Sequence, residues 1–256
     1  MDISFRQTPE LFGAFHLITV SIIVLLCFPA FLKFRRLSCE RLMKLLHISG
    51  IIMVIMEIWK QIFSYVYVFE RVFSMWFFPW QLCSMAMYLC FLLPLFREKQ
   101  QNTVLIFLST YSLFAAIMAL AVPADMLRPQ ILLTLHGFIY HGIMLVQSLA
   151  AMLIVYKRKE ISFAKATVMF VIMAVIAETI NILSHLILHD IHREPNMFNI
   201  TPYYPSTQPV FHAIALKLGI ISEILIYLLL IILAAWLLFR LEKKLLGNSA
   251  NKTKDL

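Results

Sequence analysis

Apolar residues in this chain come in long unbroken runs and not in the alternation of a half-buried strand. Seven runs cover residues 15–32, 45–69, 75–96, 103–122, 131–155, 162–188 and 213–239. A spanning helix needs roughly 20 predominantly apolar residues to cross hydrocarbon, and these runs have that length. Lipid offers no partner to backbone N–H and C=O groups, so only helices or a closed barrel can span; continuous runs without period-two alternation select helices. The pattern predicts an all-α membrane protein, a seven-transmembrane-helix bundle forming one domain over residues 1–245. Residues 246–256, reading GNSANKTKDL from Gly247 onward, are expected to be a disordered cytoplasmic tail.

The connections carry the orientation. Lys33, Arg35, Arg36, Arg41 and Lys44 follow the first run, Arg97 and Lys99 the third, Lys157, Arg158, Lys159 and Lys165 the fifth, and Arg240, Lys243, Lys244, Lys252 and Lys254 the last. The other connections hold only Arg6, Arg71, Arg128 and Arg193. By the positive-inside rule the N-terminus lies outside and the C-terminus in the cytoplasm of a multi-pass protein of the cell membrane. The first run lacks a basic leader and a small-residue cleavage site, and KFRR follows it at once, so it is read as a retained helix. The long connection from Leu188 to His212, with four prolines and paired tyrosines, reads as a lid over a cavity or as a surface loop anchored by interfacial Tyr.

Composition agrees: 61% of residues are hydrophobic, 14% are charged, and mean hydropathy is +0.84. A net charge of +8 would suggest nucleic acid in a soluble protein, but here it is spent on topology, and no nucleic-acid partner is expected. Cys27, Cys39, Cys83 and Cys90 form no CxxC pair, so neither a disulfide framework nor a zinc ribbon is indicated.

Polar residues inside the runs are the informative exceptions. With about 1.5 Å of rise per residue, Cys83 falls on the order of 12 Å and His141 on the order of 15 Å below the outer boundary, with His136 nearer the surface. Glu57, Lys60 and Gln61 on the second run, Glu178, Asn181 and His185 on the sixth, and Lys217 and Glu223 on the seventh reach similar levels. A charged side chain near the bilayer centre costs roughly 2.5–3.5 kcal/mol even on lenient scales, so such residues should line a shared interior or pair with one another. Glu57 and Lys60, three apart on one helix face, can do the second.

Three chemistries fit. Cys83 as nucleophile with His141 or His136 as base, a carboxylate such as Glu178 orienting the imidazole, and Gln81, Ser84 and Asn181 as oxyanion donors is the logic of acyl transfer through a thioester, without a cofactor. Glu178, His185, His189 and His192, spaced seven, four and three, form a stripe suited to zinc and hence to a zinc-dependent lipid hydrolase. Intramembrane Glu, Lys and His also suit a proton-coupled transporter or sensor, although no inverted repeat is visible. Taken alone, a buried Cys or a helix His is more often a packing residue, and Cys90 is read that way.

F-P-x-x-L-C at 78–83, followed 58 positions after its Cys by the second His of H-G-F-I-Y-H at 136–141, resembles the YwaF family of bacterial membrane proteins, relatives of the animal transmembrane protein 164 acyltransferases. The resemblance covers nearly the whole chain. It implies a seven-helix fold and, for the animal branch, an intramembrane Cys and His that move a fatty acyl group between membrane phospholipids as a thioester. The matching positions are Cys83 and His141. Where many bacterial relatives have a His two residues before the Cys, this chain has Gln81.

Overall fold

A computed structural model describes residues 4, 7–72, 74–75, 78–158, 162–188 and 194–252. The described residues are helical almost throughout. In chain order the α-helices are α1 (Ala14–Arg35), α2 (Cys39–Phe63, continued by a π-helical turn Ser64–Val68), α3 (Ser84–Phe91), α4 (Glu98–Phe107), α5 (Leu113–Ala121), α6 (Ile131–Lys157), α7 (Phe163–Leu188), α8 (Pro209–Leu218) and α9 (Ile220–Lys252). A second π-helical turn, Leu108–Ser112, joins α4 to α5 in one continuous rod.

Six helices among the described residues are long and apolar enough to cross a membrane: α1, α2 with its continuation to Val68, the α4–α5 rod, α6, α7 and Ile220–Leu245 of α9. This is a multi-pass membrane protein. The expected helix over 75–96 differs, because its α-helical part is only Ser84–Phe91, about 12 Å long. A short 3-10 turn, Leu93–Leu95, follows; Pro94 has no N–H with which to continue the ladder. At the other end, residues 78–83 make turns around Pro79, so the depth of Cys83 cannot be counted along a helix from Met75. Such backbone survives at membrane depth only when protein surrounds it, and Ser84–Leu89 and Cys90 are largely buried. The expected helix over 213–239 is likewise divided. α8 stops at Gly219, whose φ of +85° only glycine adopts cheaply, and α9 then runs to Lys252, into the segment expected as a tail.

Side-chain spacing explains which faces turn inward. On α2 the buried set is Leu42, Leu46, Ser49, Gly50, Met53 and Glu57, a single three-and-four stripe that carries Glu57 inside. On α7 it is Ala166, Phe170, Ala174, Ala177, Asn181 and Ser184, which does the same for Asn181. Gly50 lets α3 press against α2: a Cβ there would stand 2.4 Å from the Phe91 backbone nitrogen. Tyr111, in the π-helical turn, stacks on Phe107, Phe163 and Phe170 and donates its hydroxyl to Thr167.

Two hydrogen bonds fix one end of the bundle. Lys157 Nζ donates to the Leu37 carbonyl, and Arg158 donates to Asn102 Oδ1, so the α1–α2 turn, the start of α4 and the end of α6 lie together at the basic end. At the opposite end, His16 of α1 donates Nε2–H to the Leu120 carbonyl at the close of α5 and accepts from the Phe12 N–H.

Candidate functional site

Four elements deliver polar groups to one interior region. From α2, Glu57 forms an ion pair with Lys60 at 2.8 Å and accepts from Gln61 Nε2 at 2.6 Å. Glu57 is 6% exposed, so the pair sits in the interior and supplies the partner that each charge requires there.

Cys83 immediately precedes α3, at the positive end of its backbone dipole. The Ser84 N–H donates to the Gln81 carbonyl at 2.9 Å in the turn that carries Cys83 into α3, and the Lys60 ammonium and the Glu57 carboxylate lie within electrostatic range of the thiol. Ser84 is buried beside it.

From α6 come His136, Tyr140 and His141. His141 Nδ1 lies 2.8 Å from the Gly137 carbonyl. A carbonyl only accepts, so Nδ1 carries the proton in the neutral ring and Nε2 keeps its lone pair. Among the described residues Nε2 has no hydrogen-bond partner. His136 has the opposite tautomer, donating Nε2–H to the Met56 carbonyl at 3.2 Å while stacked between Trp59 and Tyr140. Lys60 is the common neighbour: it acts electrostatically on Cys83, His136 and His141 alike. Cys83 and His141 make no hydrogen bond to each other among the described residues. Tyr140 is within electrostatic range of Cys83 and Glu57, and its buried hydroxyl has no partner among the described residues.

Residues 196–201, in the connection after α7, are folded into the bundle beside this region. Asn181 Oδ1 accepts from the Met197 N–H at 2.7 Å and its Nδ2 donates to the Met197 carbonyl at 3.2 Å. Gln81 does the same on either side, donating to the Asn196 carbonyl and accepting from the Phe198 N–H, both at 2.8 Å. Two amide side chains thus replace the backbone partners that this irregular segment lacks. They hold Phe198 and Asn199 at φ of +57°, a left-handed conformation that costs a non-glycine residue about 1–3 kcal/mol. Met197, Phe198 and Ile200 are buried. Tyr227 of α9 lies within electrostatic range of Cys83. Farther along, Tyr204 donates to the Pro195 carbonyl; burial, with the nearby Glu194 carboxylate second, pushes its phenol up to about 12.

Of the expected constellation, Glu57 and Lys60 pair and lie within electrostatic range of His136, Lys60 also of His141, while Gln81, Cys83 and Ser84 share the turn that enters α3. Glu178 does not orient His141: it accepts from Asn181, and the Gly137 carbonyl takes the orienting role because a histidine four residues on reaches it within the same helix. Asn181 spends both N–H groups, on Glu178 and Met197, and has none left for an oxyanion. His185 pairs with Glu194 at 2.9 Å and stacks on Tyr203, outside the Cys83 cluster. Lys217 is exposed on α8. Glu223 of α9, 1% exposed, lies apart from the Cys83 cluster, and its Oε1 has no partner among the described residues. For the zinc stripe, His189 and His192 lie outside the described residues, and no group of three potential metal ligands occurs among those described.

Sequence reasoning missed Tyr140, His16 and Glu194. Tyr140 carried a usable signal, four residues after His136 and next to His141 in the same quoted motif. Glu194, in an irregular segment 137 positions after Glu57, carried none.

In comparison with known proteins, the model of the TMEM164 family matches residues 11–239. No curated protein and no solved structure matches the chain.

Proposed function

The chain belongs to the TMEM164 family, and from that premise we propose that it is an intramembrane acyltransferase that moves fatty acyl groups between membrane phospholipids through a thioester on Cys83. The supporting observation is the His141 tautomer: an imidazole whose Nδ1 is committed to Gly137 offers a free Nε2 acceptor in the same Lys60-centred cluster as the thiol.

In this reading His141 Nε2 takes the thiol proton as Sγ attacks the ester carbonyl of a donor phospholipid. Negative charge develops on the carbonyl oxygen; the Tyr140 O–H and the Gln81 N–H not given to Asn196 are the donors available to it. Collapse expels the lysophospholipid alkoxide, which recovers the proton from His141. The thioester is then opened by the hydroxyl of an acceptor lipid, deprotonated by the same Nε2, and the thiol is regenerated. Each step balances without cofactor or metal. The folded connection over Cys83 would open for lipid to enter from the side.

The topology belongs to the same proposal. Arg158 and Asn102 share the end that holds Leu37, which supports a return of the chain between α2 and α4. With that return counted as a crossing, the reading is seven crossings with the basic connections in the cytoplasm, the N-terminus outside and the cell membrane as the site.

The test is a mass. Purified protein incubated with phospholipid should acquire a hydroxylamine-labile acyl adduct on Cys83 that Cys83→Ser lacks. A wild-type protein without adduct, or an unchanged adduct in the variant, rejects the reading. An ester hydrolase dependent on a helix-α7 metal would instead lose turnover on chelation and keep it in Cys83→Ser.

A further inference from the structure

Away from Cys83, the outer faces of α1, α2 and α6 enclose an open trench of about 640 Å³. Its walls are Ile and Leu side chains from all three helices, and its floor runs past Gly142 of α6. A Cβ at Gly142 would meet Ile23 of α1 at 3.5 Å, an ordinary contact, so the missing side chain is what leaves the trench open at mid-height. Polar groups in the wall are already satisfied or small: Ser49 donates to the Leu46 carbonyl and accepts from Gln147. One end is different. Arg41 and Lys44, in the first turns of α2, line its mouth at the basic end of the bundle.

The charges at that mouth are available. Arg41 has no ion partner among the described residues, and Lys44 pairs only with Glu40, at 3.1 Å with both side chains largely exposed, an arrangement easily exchanged for a stronger anion. Residues 33–44 hold five basic side chains against one acidic, Glu40. From Arg41 to Ile52 the wall rises about 16 Å along α2. An apolar trench of that height, open to lipid along its side and closed at one end by an unpaired guanidinium and an ammonium, matches one occupant. We infer that it holds an anionic phospholipid, one acyl chain along Gly142 and Ile52 and the phosphate between Arg41 and Lys44. Basic mouths between membrane helices select such head groups by charge. The inference concerns α1, α2 and α6 only and does not depend on the chemistry at Cys83.

Native mass spectrometry of the protein exchanged from mixed nanodiscs of phosphatidylglycerol and phosphatidylcholine tests it. Wild type should retain phosphatidylglycerol over phosphatidylcholine by at least about fivefold, with the preference falling as salt rises. Arg41→Ala with Lys44→Ala should remove the preference, and Gly142→Leu should lower retention of both lipids by filling the trench. Arg35→Ala with Arg36→Ala, basic residues that do not line the trench, should leave retention unchanged. Equal retention of the two lipids by wild type, or an equal loss in the Arg35/Arg36 variant, overturns the inference, the latter by reducing it to general surface charge. Should Gly142→Leu not fold, the two charge variants decide alone. The Cys83 adduct is measured in the same samples: its persistence in the Arg41/Lys44 variant separates failure of this site from failure of the acyl-transfer reading.

Discussion

His141 donates its Nδ1–H to the carbonyl of Gly137, one turn back on the same helix, at 2.8 Å. The ring is thus oriented by its own backbone, and no carboxylate is required. Glu178 should accordingly be dispensable for proton transfer. Glu178→Gln is expected to keep Cys83 acylation within about threefold of wild type, whereas His141→Ala should lose about 10²–10⁴-fold, the usual worth of a positioned base. A loss of similar size in both variants, in single-turnover acylation, would restore the carboxylate to the role and displace Gly137.

The Glu57–Lys60 pair makes a second asymmetry measurable. Lys60→Met leaves a buried carboxylate supported by Gln61 and should cost about 3–5 kcal/mol, seen as a lowered unfolding midpoint in detergent. Adding Glu57→Gln removes the orphaned charge and should recover most of that. Thiol reactivity should not recover with it, because the Lys60 ammonium within electrostatic range of Cys83 is still missing. Alkylation of Cys83, with Cys27, Cys39 and Cys90 changed to Ala, should stay slower by about tenfold. Parallel recovery of both readouts would make Lys60 purely structural.

Close packing of α3 on α2 depends on Gly50. A Cβ 2.4 Å from the Phe91 nitrogen and 2.7 Å from the Cys90 carbonyl carbon meets backbone, which cannot rotate aside. Gly50→Ala should therefore cost about 1–3 kcal/mol or more, the range for overpacking a close-packed site. Because α3 begins one residue after the nucleophile, the same change should displace Cys83 and depress acylation beyond what the lost stability explains.

Much of this was legible in the sequence because lipid enforces it. Run length fixed the long helices, and the cost of intramembrane charge pointed to Glu57, Lys60 and His141 as interior groups. The three-and-four spacing that buries Glu57 and Asn181 is plain in α2 and α7. What stayed hidden was irregular backbone. Nothing in the apolar run 75–96 says that α3 is eight residues long, since its length is set by Gly50, Pro94 and the helices that enclose it. Likewise Asn181 reads as an oxyanion donor until Glu178 and the Met197 carbonyl are seen to take both its N–H groups, and Gln81 keeps only the N–H not given to Asn196.

That occupation predicts a gate. Asn181→Leu removes both partners of Met197 and should free Phe198 and Asn199 from their left-handed conformation. A lost hydrogen bond with a buried group left unpaired costs about 1–3 kcal/mol, so amide exchange at Met197 should quicken by about tenfold or more. Alkylation of Cys83 from the membrane-facing side should quicken with it. Faster exchange without faster alkylation would mean that the connection covers something other than the thiol.

Tyr140 gives the sharpest separation of stability from chemistry. Its hydroxyl is buried without a partner among the described residues, beside His141 in sequence and within electrostatic range of Cys83. An unpaired buried hydroxyl is a cost to the folded state, so a group of this kind persists in a packed interior only for some other return. Tyr140→Phe strips the oxygen, orphans nothing and keeps the ring that stacks on His136. The unfolding midpoint should hold or rise. If the O–H donates to the developing oxyanion, acylation should still fall by about 10²-fold or more, in the range seen for loss of one such donor. The signature is a slower rate with unchanged phospholipid binding, since the hydrogen bond strengthens only as charge develops. A variant that is both more stable and fully active would remove Tyr140 from the mechanism and leave Gln81 as the remaining donor.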